Sequence, residues 1–279
     1  MSSTARYLCN ICGSPGEKWA EGDGFQVLRC PKCGLLWTDR LRKPPEGYWA
    51  DEIYLKVEEA LKRRFKRILK FVLKFSEPGR ALEVGSSTGA FLEVAREEGF
   101  QIEGCDISPR AVQAAKEKGL KVRKGTLDES YSSAYFDFLF AFNLIEHLPD
   151  PSSFLKEAHR VLRPGGLLVL ETPVQEGLFH RVSRAAYLMS RGRVRMLGLS
   201  PEDHLFRFSK RTFREIERLF PFRLLTLRTM PSPWAEIWEK SRVVEIQHRL
   251  LYRTSLPLLW LASLLPGLGN RALAIFSAR

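Results

Sequence analysis

Four of the chain's five cysteines stand in two pairs, Cys9-x-x-Cys12 and Cys30-x-x-Cys33, with the seventeen residues from Gly13 to Arg29 between them. Two such knuckles at that spacing bring four thiolates to one point, the donor set of a tetrahedral zinc site. Glycine follows each pair, at Gly13 and Gly34, where a tight turn lets backbone amides face the sulfurs. Phe25 to Arg29 alternates like a strand leading to the second knuckle. Four protein ligands leave no coordination position open, so this metal is expected to be structural. Cys105 stands alone and reads as a core residue at a strand end.

A second cluster lies in Leu82-Glu83-Val84-Gly85-Ser86-Ser87-Thr88-Gly89-Ala90-Phe91, an apolar run ending in a glycine turn that opens a helix. Turns of this kind bind nucleotides. A dinucleotide would need glycine where Ser87 stands, so that backbone could approach its pyrophosphate, and Glu83 would repel that pyrophosphate. A ligand with an ammonium and a sulfonium but no phosphate removes the first requirement and turns the acid into an asset. The next apolar run ends in Asp106, about twenty residues on, where a carboxylate can accept both hydroxyls of a ribose. S-adenosylmethionine has all of these groups.

At these residues the chain resembles the class I S-adenosylmethionine-dependent methyltransferases, over roughly Gly79 to Thr172. Glu83, Gly85 and Gly89 match that family's acid-x-G-x-G-x-G motif, with Ser87 in place of the middle glycine. Asp106 matches its ribose acid, and Gly125-Thr126-Leu127 falls on its adenine-contacting segment, with Thr126 in place of the usual acid. Phe136-Asp137 through Asn143-Leu144-Ile145-Glu146-His147-Leu148-Pro149-Asp150-Pro151 looks like the family's fourth-strand motif, and Leu162-Arg163-Pro164-Gly165-Gly166 like the turn before its fifth strand. The resemblance implies a cofactor site of Glu83, Gly85, Ser87, Gly89, Asp106, Ile107, Gly125, Thr126, Leu127 and Asn143, and methyl transfer as the reaction. Methyl transfer from a sulfonium mainly asks the enzyme to align a nucleophile and exclude water, and a hydroxyl acceptor also needs a base. His147 at the mouth of the fourth strand and His204 after the fifth are the candidates for that base.

The elements that must hold these residues follow from the apolar pattern. Runs at Ala81–Val84, Ile102–Cys105, Leu120–Val122, Phe136–Ala141 and Leu167–Leu170 alternate with helical stretches at Phe91–Gly99, Pro109–Gly119 and Pro151–Leu162. Strand and helix repeating at this pitch predict an α/β, Rossmann-like doubly wound sheet. Phe222–Thr229 and Arg271–Phe276 read as two late strands, which the resemblance implies are an antiparallel pair, and Leu55–Phe75 as a long helix whose Lys62, Arg63, Arg64, Lys66, Arg67, Lys70 and Lys74 make a basic face that is solvated or else meets an acidic surface. Residues 1–45 form a zinc ribbon and linker, ending near Pro44-Pro45-Glu46-Gly47, and 46–279 the larger domain, with insertions near 174–203 and 231–269.

The surroundings bear on the acceptor. Net charge is +12, which favours an anionic partner. Within the first insertion, Val174 to Leu199 carries Arg181, Arg184, Arg191, Arg193 and Arg195 with no acid after Glu176, which suits a phosphate- or carboxylate-bearing acceptor or else a solvated lid helix. The second mixes Trp234, Trp238, Leu250, Leu251, Tyr252, Leu256, Leu258, Leu259, Trp260, Leu264 and Leu265 with Arg242, Arg249 and Arg253, as an interfacial helix or a lipid-like pocket would. Expected acceptors are therefore small or lipid-like molecules. The alternative is RNA held by the ribbon and the basic surface, although Asn143-Leu144-Ile145-Glu146 is not the Asn/Asp-Pro-Pro-aromatic turn of base-amino methylases. A cofactor-binding scaffold without turnover is the third reading. With no basic and apolar leader at Met1 and Leu256–Leu268 broken by Pro257, Pro266 and Gly267, a cytoplasmic location is expected, with peripheral membrane contact the further option.

Overall fold

The apolar runs pair side by side because each has residues for two buried faces, which only a sheet covered on both sides can use. The computed structural model describes residues 7–22, 25–39, 55–190, 204–232, 234–235, 237–238, 256–258, 260–265 and 267–279. Among these, the central sheet has seven strands: β4 (Arg80–Val84), β5 (Gln101–Asp106), β6 (Val122–Lys124), β7 (Phe136–Phe142), β8 (Leu162–Pro173), β10 (Phe222–Met230) and β11 (Arg271–Ala278). Their order is β10-β11-β8-β7-β4-β5-β6. The strands from β8 to β6 are parallel, whereas β11 is antiparallel to both its neighbours, β8 and β10. The chain reverses its direction of growth between β4 and β7, and the crevice beyond the carboxyl ends there is where such sheets bind ligands.

Strand β7 shows how one sequence serves both faces. Phe138, Phe140 and Phe142 lie on one side with successive ring centroids 5.8 and 5.9 Å apart, against α1 (Glu58–Val72) and α2 (Ala90–Glu97). Leu139 and Ala141 lie on the other, in the core shared with α4 (Pro151–Val161) and α6 (Lys210–Leu219). Helix α3 (Pro109–Glu117) starts on a Ser108 side chain that accepts from the Ala111 amide, and covers the β5–β6 edge through Val112 and Ala115. Helix α5 (Leu178–Met189) follows β8.

Two expectations change. The strand expected at Leu167–Leu170 begins at Leu162: Phe136 pairs with Leu162 and Phe138 with Leu167, so Arg163-Pro164-Gly165-Gly166 bulges out of register instead of ending the pairing. Pro164 has no amide to donate and Gly165 sits at φ 77°, both suited to a bulge. Arg64, assigned to the basic face of the first helix, is buried and forms an ion pair with the equally buried Glu171. Glu171 also meets Arg271 at 3.4 Å, and Arg271 donates to the Asn143 side chain. Helical spacing cannot see this carboxylate, which arrives from a strand over a hundred residues later. Lys62 and Lys66 do reach acids, Glu58, Glu93 and Glu97.

The N-terminal strands β1 (Glu17–Gly22), β2 (Phe25–Arg29) and β3 (Leu36–Thr38) make a second sheet in the order β1-β2-β3-β9. Its last member, β9 (Phe206–Arg207), comes from the far side of the chain and pairs Phe206 with Trp37 and Arg207 with Leu36. Cys9, Ile11, Leu28, Cys30, Cys33, Leu35 and Trp37 share one continuous core with the central sheet. Arg191, Arg193, Arg195, Arg242, Arg249, Leu250, Leu251, Tyr252, Arg253 and Leu259, and the expected linker at 44–47, lie outside the described residues.

Candidate functional site

Two carboxylates end neighbouring strands. Glu83 on β4 is 3% exposed and its Oε2 has no hydrogen-bond partner. Burial, and then the nearby Asp106, raise its pKa well above the usual carboxylate value. Asp106 at the end of β5 accepts from the Ser87 amide on one oxygen and the Ser108 amide on the other, both at 2.8 Å. It therefore braces the glycine turn from the end of the neighbouring strand.

The turn itself needs left-handed backbone. Gly85 has φ 76° and Gly89, which starts α2, has φ 84°; a side chain at Gly89 would collide with Leu120. Ser87, where the family motif has glycine, nevertheless adopts φ 46°. The substitution keeps the glycine-like conformation, which costs a non-glycine residue about 1–2 kcal/mol, and the Asp106 hydrogen bond to its amide helps hold it there. The Ser86 and Ser87 hydroxyls are buried without hydrogen-bond partners, and that of Ser86 lies against Gly104 of β5.

The remaining expected cofactor residues follow the ends of β5, β6 and β7. Ile107 follows Asp106 and is 48% exposed, a large apolar side chain in water beside the turn. Gly125 donates its amide to the Asp106 carbonyl at 3.0 Å, and Arg123 donates to the Thr126 carbonyl, so the Gly125-Thr126-Leu127 segment is tied to the end of β5. Leu127 packs on the main core. Asn143 follows β7 at φ 50°, its amide donating to the Glu171 carbonyl at 2.8 Å.

His147 and His204 are brought together, with ring centroids 4.8 Å apart. His147 lies in the turn after β7 and His204 just before β9, where the Phe206 amide donates to the Glu146 carbonyl at 3.1 Å. Glu146 was read only as part of a motif, and the structure adds it to the cluster. Its carboxylate is buried, no donor has good hydrogen-bond geometry to it, and burial raises its pKa, offset only in part by His147 and Thr172. Periodicity offered no signal for it, because Glu146 sits in a turn. Ligand atoms of Glu146, His147 and His204 all lie within 4.8 Å of one another.

The four cysteines form a second cluster within the same limit. Cys9 and Cys33 sulfurs are 3.4 Å apart, as are Cys12 and Cys30, too far for disulfides and close to the spacing of ligands around one ion. Proton sharing with Cys33 lowers the Cys9 thiol to about 6, and the same partnership together with burial raises Cys33. Only a cation lets all four ionise at once. The cluster is bolted to the larger sheet's side of the molecule: the Cys33 carbonyl accepts from Ser209 Oγ at 3.1 Å and Thr212 Oγ1 at 3.0 Å, the Gly34 carbonyl from Gln175 at 2.6 Å, and Asn10 bonds Asp150 and the Ser152 amide.

A family profile described as "Methyltransferase domain" matches residues 57–227, more than half the chain. The chain belongs to the S-adenosylmethionine-dependent methyltransferase family. It is 34% identical over 157 residues to a ubiquinone biosynthesis O-methyltransferase from Bradyrhizobium sp. (strain ORS 278), covering 54% of this chain and 62% of that protein. It is 30% identical over 145 residues to the 27-O-demethylrifamycin SV methyltransferase of Amycolatopsis mediterranei, covering 48% and 52%. The chain thus spans less than two thirds of the length of these curated relatives. Among solved structures, S-adenosylmethionine-dependent methyltransferases from Thermotoga maritima (TM-score 0.55, 20% identity, 82% of this chain and 94% of that one) and Archaeoglobus fulgidus (0.53, 20%, 79% and 94%) share the fold.

Proposed function

We propose that this methyltransferase uses S-adenosylmethionine to methylate a hydroxyl of a small or lipid-like molecule. The observation that carries the cofactor is the pair of carboxylates on adjacent strand ends, one of them buried and without a full set of partners. When bound, S-adenosylmethionine supplies a methyl group on a positively charged sulfur. Glu83 offers its ionised carboxylate to the ammonium of the methionine moiety, and Asp106 offers two acceptor oxygens to the ribose hydroxyls. Ile107 and the Gly125-Thr126-Leu127 segment would flank the adenine, and Gly85, Ser87, Gly89 and Asn143 shape the turn and the strand end beside it. The orphaned serine hydroxyls and the glycine turn fit such a ligand, and Glu83 disfavours a pyrophosphate.

For the acceptor, His147 and His204, whose ring centroids lie 4.8 Å apart, would take the proton of the hydroxyl. The names of the two curated relatives, both of small-molecule O-methylation, support this choice, and neither supports the RNA reading. A lipid-like acceptor is supported by the second insertion. Trp234 stacks near Trp238 and Trp260 (centroids 5.8 and 5.7 Å), with Leu258, Leu261, Leu264 and Leu265 exposed beside them. Arg181 and Arg184 on α5 favour an acceptor with an acidic group. No described helix is long and apolar enough to cross a membrane. Four cysteines at these distances fit a structural zinc ion. Calorimetry on metal-replete protein tests the cofactor: S-adenosylmethionine or S-adenosylhomocysteine should bind and a nicotinamide dinucleotide should not. The reverse result ends the proposal. Mass spectrometry of a co-purified ligand would name the acceptor.

A further inference from the structure

We infer that Glu146, His147 and His204 form a second metal site, distinct from the cysteine cluster, that binds a divalent cation and presents it to the acceptor hydroxyl. This deepens the proposed function, since it replaces a lone imidazole base with a cation held by both histidines. Three observations carry it.

The donors converge. One carboxylate and two imidazoles from separate segments of chain lie with their ligand atoms within 4.8 Å of one another. Two atoms each about 2.1 Å from a shared ion are at most about 4.2 Å apart, so closing on an ion asks for a shift of about 0.6 Å or more, within reach of side-chain torsions. The second observation is independent of that clustering. The Glu146 side chain is 1% exposed, yet its oxygens lack donors in good hydrogen-bond geometry, with His147 Nε2 at 4.0 Å from one of them. A buried carboxylate left this way is costly, and a cation is what such a group is built to meet. Finally, the two segments are held in place: the Phe206 amide bonds the Glu146 carbonyl, the His147 amide bonds the Leu144 carbonyl, and β9 is pinned from its other side by Trp37 and Leu36 of β3. His147 and His204 are both only half-buried, whereas a general base would need neither the second ring nor the buried acid.

Two nitrogens and one oxygen select a transition-type divalent cation, such as zinc, iron(II) or manganese, over calcium. Three protein ligands leave positions open, the pattern of a catalytic rather than a structural site. The acceptor hydroxyl takes one open position and loses its proton to solvent, because the cation lowers its pKa. Its oxygen pair then forms the bond to the methyl carbon as the carbon–sulfur bond breaks, and that pair stays on sulfur, giving S-adenosylhomocysteine. No oxidant or further reactant is needed.

The test titrates manganese(II) into the full chain, dialysed free of loosely held ions, followed by electron paramagnetic resonance. Manganese stands low in the affinity series and does not displace zinc from four thiolates, so the ribbon stays filled. The expected result is one bound manganese per chain with hyperfine coupling from imidazole nitrogen, weakened about tenfold or more in both Glu146→Gln and His204→Ala. Glu146→Gln is isosteric, and thermal melts confirm that both variants fold. Absence of bound manganese, binding without nitrogen coupling, or affinity unchanged in the two variants overturns the inference. S-adenosylmethionine binding by the wild-type sample is measured separately, so loss of the cation site and loss of the methyltransferase reading are told apart.

Discussion

Replacing Glu83 by glutamine should separate the charge of the cofactor site from its shape. Glu83 is buried, and its folded pKa lies above the unfolded value of about 4.3 because burial and Asp106 both oppose ionisation. A cationic ligand reverses this, since the ammonium stabilises the carboxylate. At pH values below the raised pKa, binding must expel the proton, which costs about 1.4 kcal/mol, or tenfold in affinity, per pH unit. The wild-type affinity for S-adenosylmethionine should therefore rise with pH from the ordinary carboxylate range up to the raised pKa of Glu83, until the ligand's own amine titrates near about 8. Binding should also release a fraction of a proton. In Glu83→Gln the charge-assisted contact is gone, about 1.5–3 kcal/mol or roughly 10- to 150-fold in Kd, and the pH slope and proton release go with it. Stability moves the other way. A raised folded pKa gives stabilisation that is full below the unfolded pKa and lost as pH rises through the folded value, so the variant without ligand should be the more stable form at neutral and higher pH. Calorimetry in two buffers of different ionisation enthalpy measures affinity and proton release together. Binding within twofold of wild type, with the proton release unchanged, would refute the reasoning.

Glu171→Ala should destabilise the fold by about 3–5 kcal/mol in denaturant titration, because it leaves Arg64 and Arg271 buried without their shared carboxylate; a change under 1 kcal/mol would show that the cluster is solvated. Replacing Cys9 and Cys12 by serine, which removes the cysteine metal and leaves Glu146, His147 and His204 intact, should release β9 from β3 and misplace His204, lowering methyl transfer about 100-fold and shifting Trp37 fluorescence, while S-adenosylmethionine still binds to the central sheet. If cofactor binding and turnover fall together, the ribbon supports the whole fold rather than the acceptor side. The chain should sediment with anionic vesicles at low salt, and Leu258→Ser with Leu265→Ser should weaken this about tenfold or more; equal sedimentation by wild type and variant would assign those exposed leucines elsewhere.

The sheet was readable because strand-forming runs announce themselves locally. Phe136 to Phe142 alternates faces with period two, and Gly85 and Gly89 stand where the backbone must turn left-handed. Two late apolar runs marked the edge strands, and their antiparallel pairing was implied by the family resemblance. Ser87 shows the limit of motif reading: its type departs from glycine while its backbone does not. Arg64 shows the limit of helical periodicity, which assigns a face by one helix's own pattern and cannot anticipate Glu171 rising from β8 to meet it.

The sequence alone determined what depends on neighbours along the chain: the knuckle spacing, the glycine turn, the strand-end acids and the order of elements. Tertiary structure decided what depends on residues far apart. It set His204 against His147, sank Glu146 beside them, and took β9 into the ribbon's sheet, so that the cysteine cluster and the histidine pair are joined through one set of hydrogen bonds. The physical reason is range. Backbone turns and side-chain alternation are fixed within a few residues, whereas burial and the meeting of charges exist only once the chain has closed on itself.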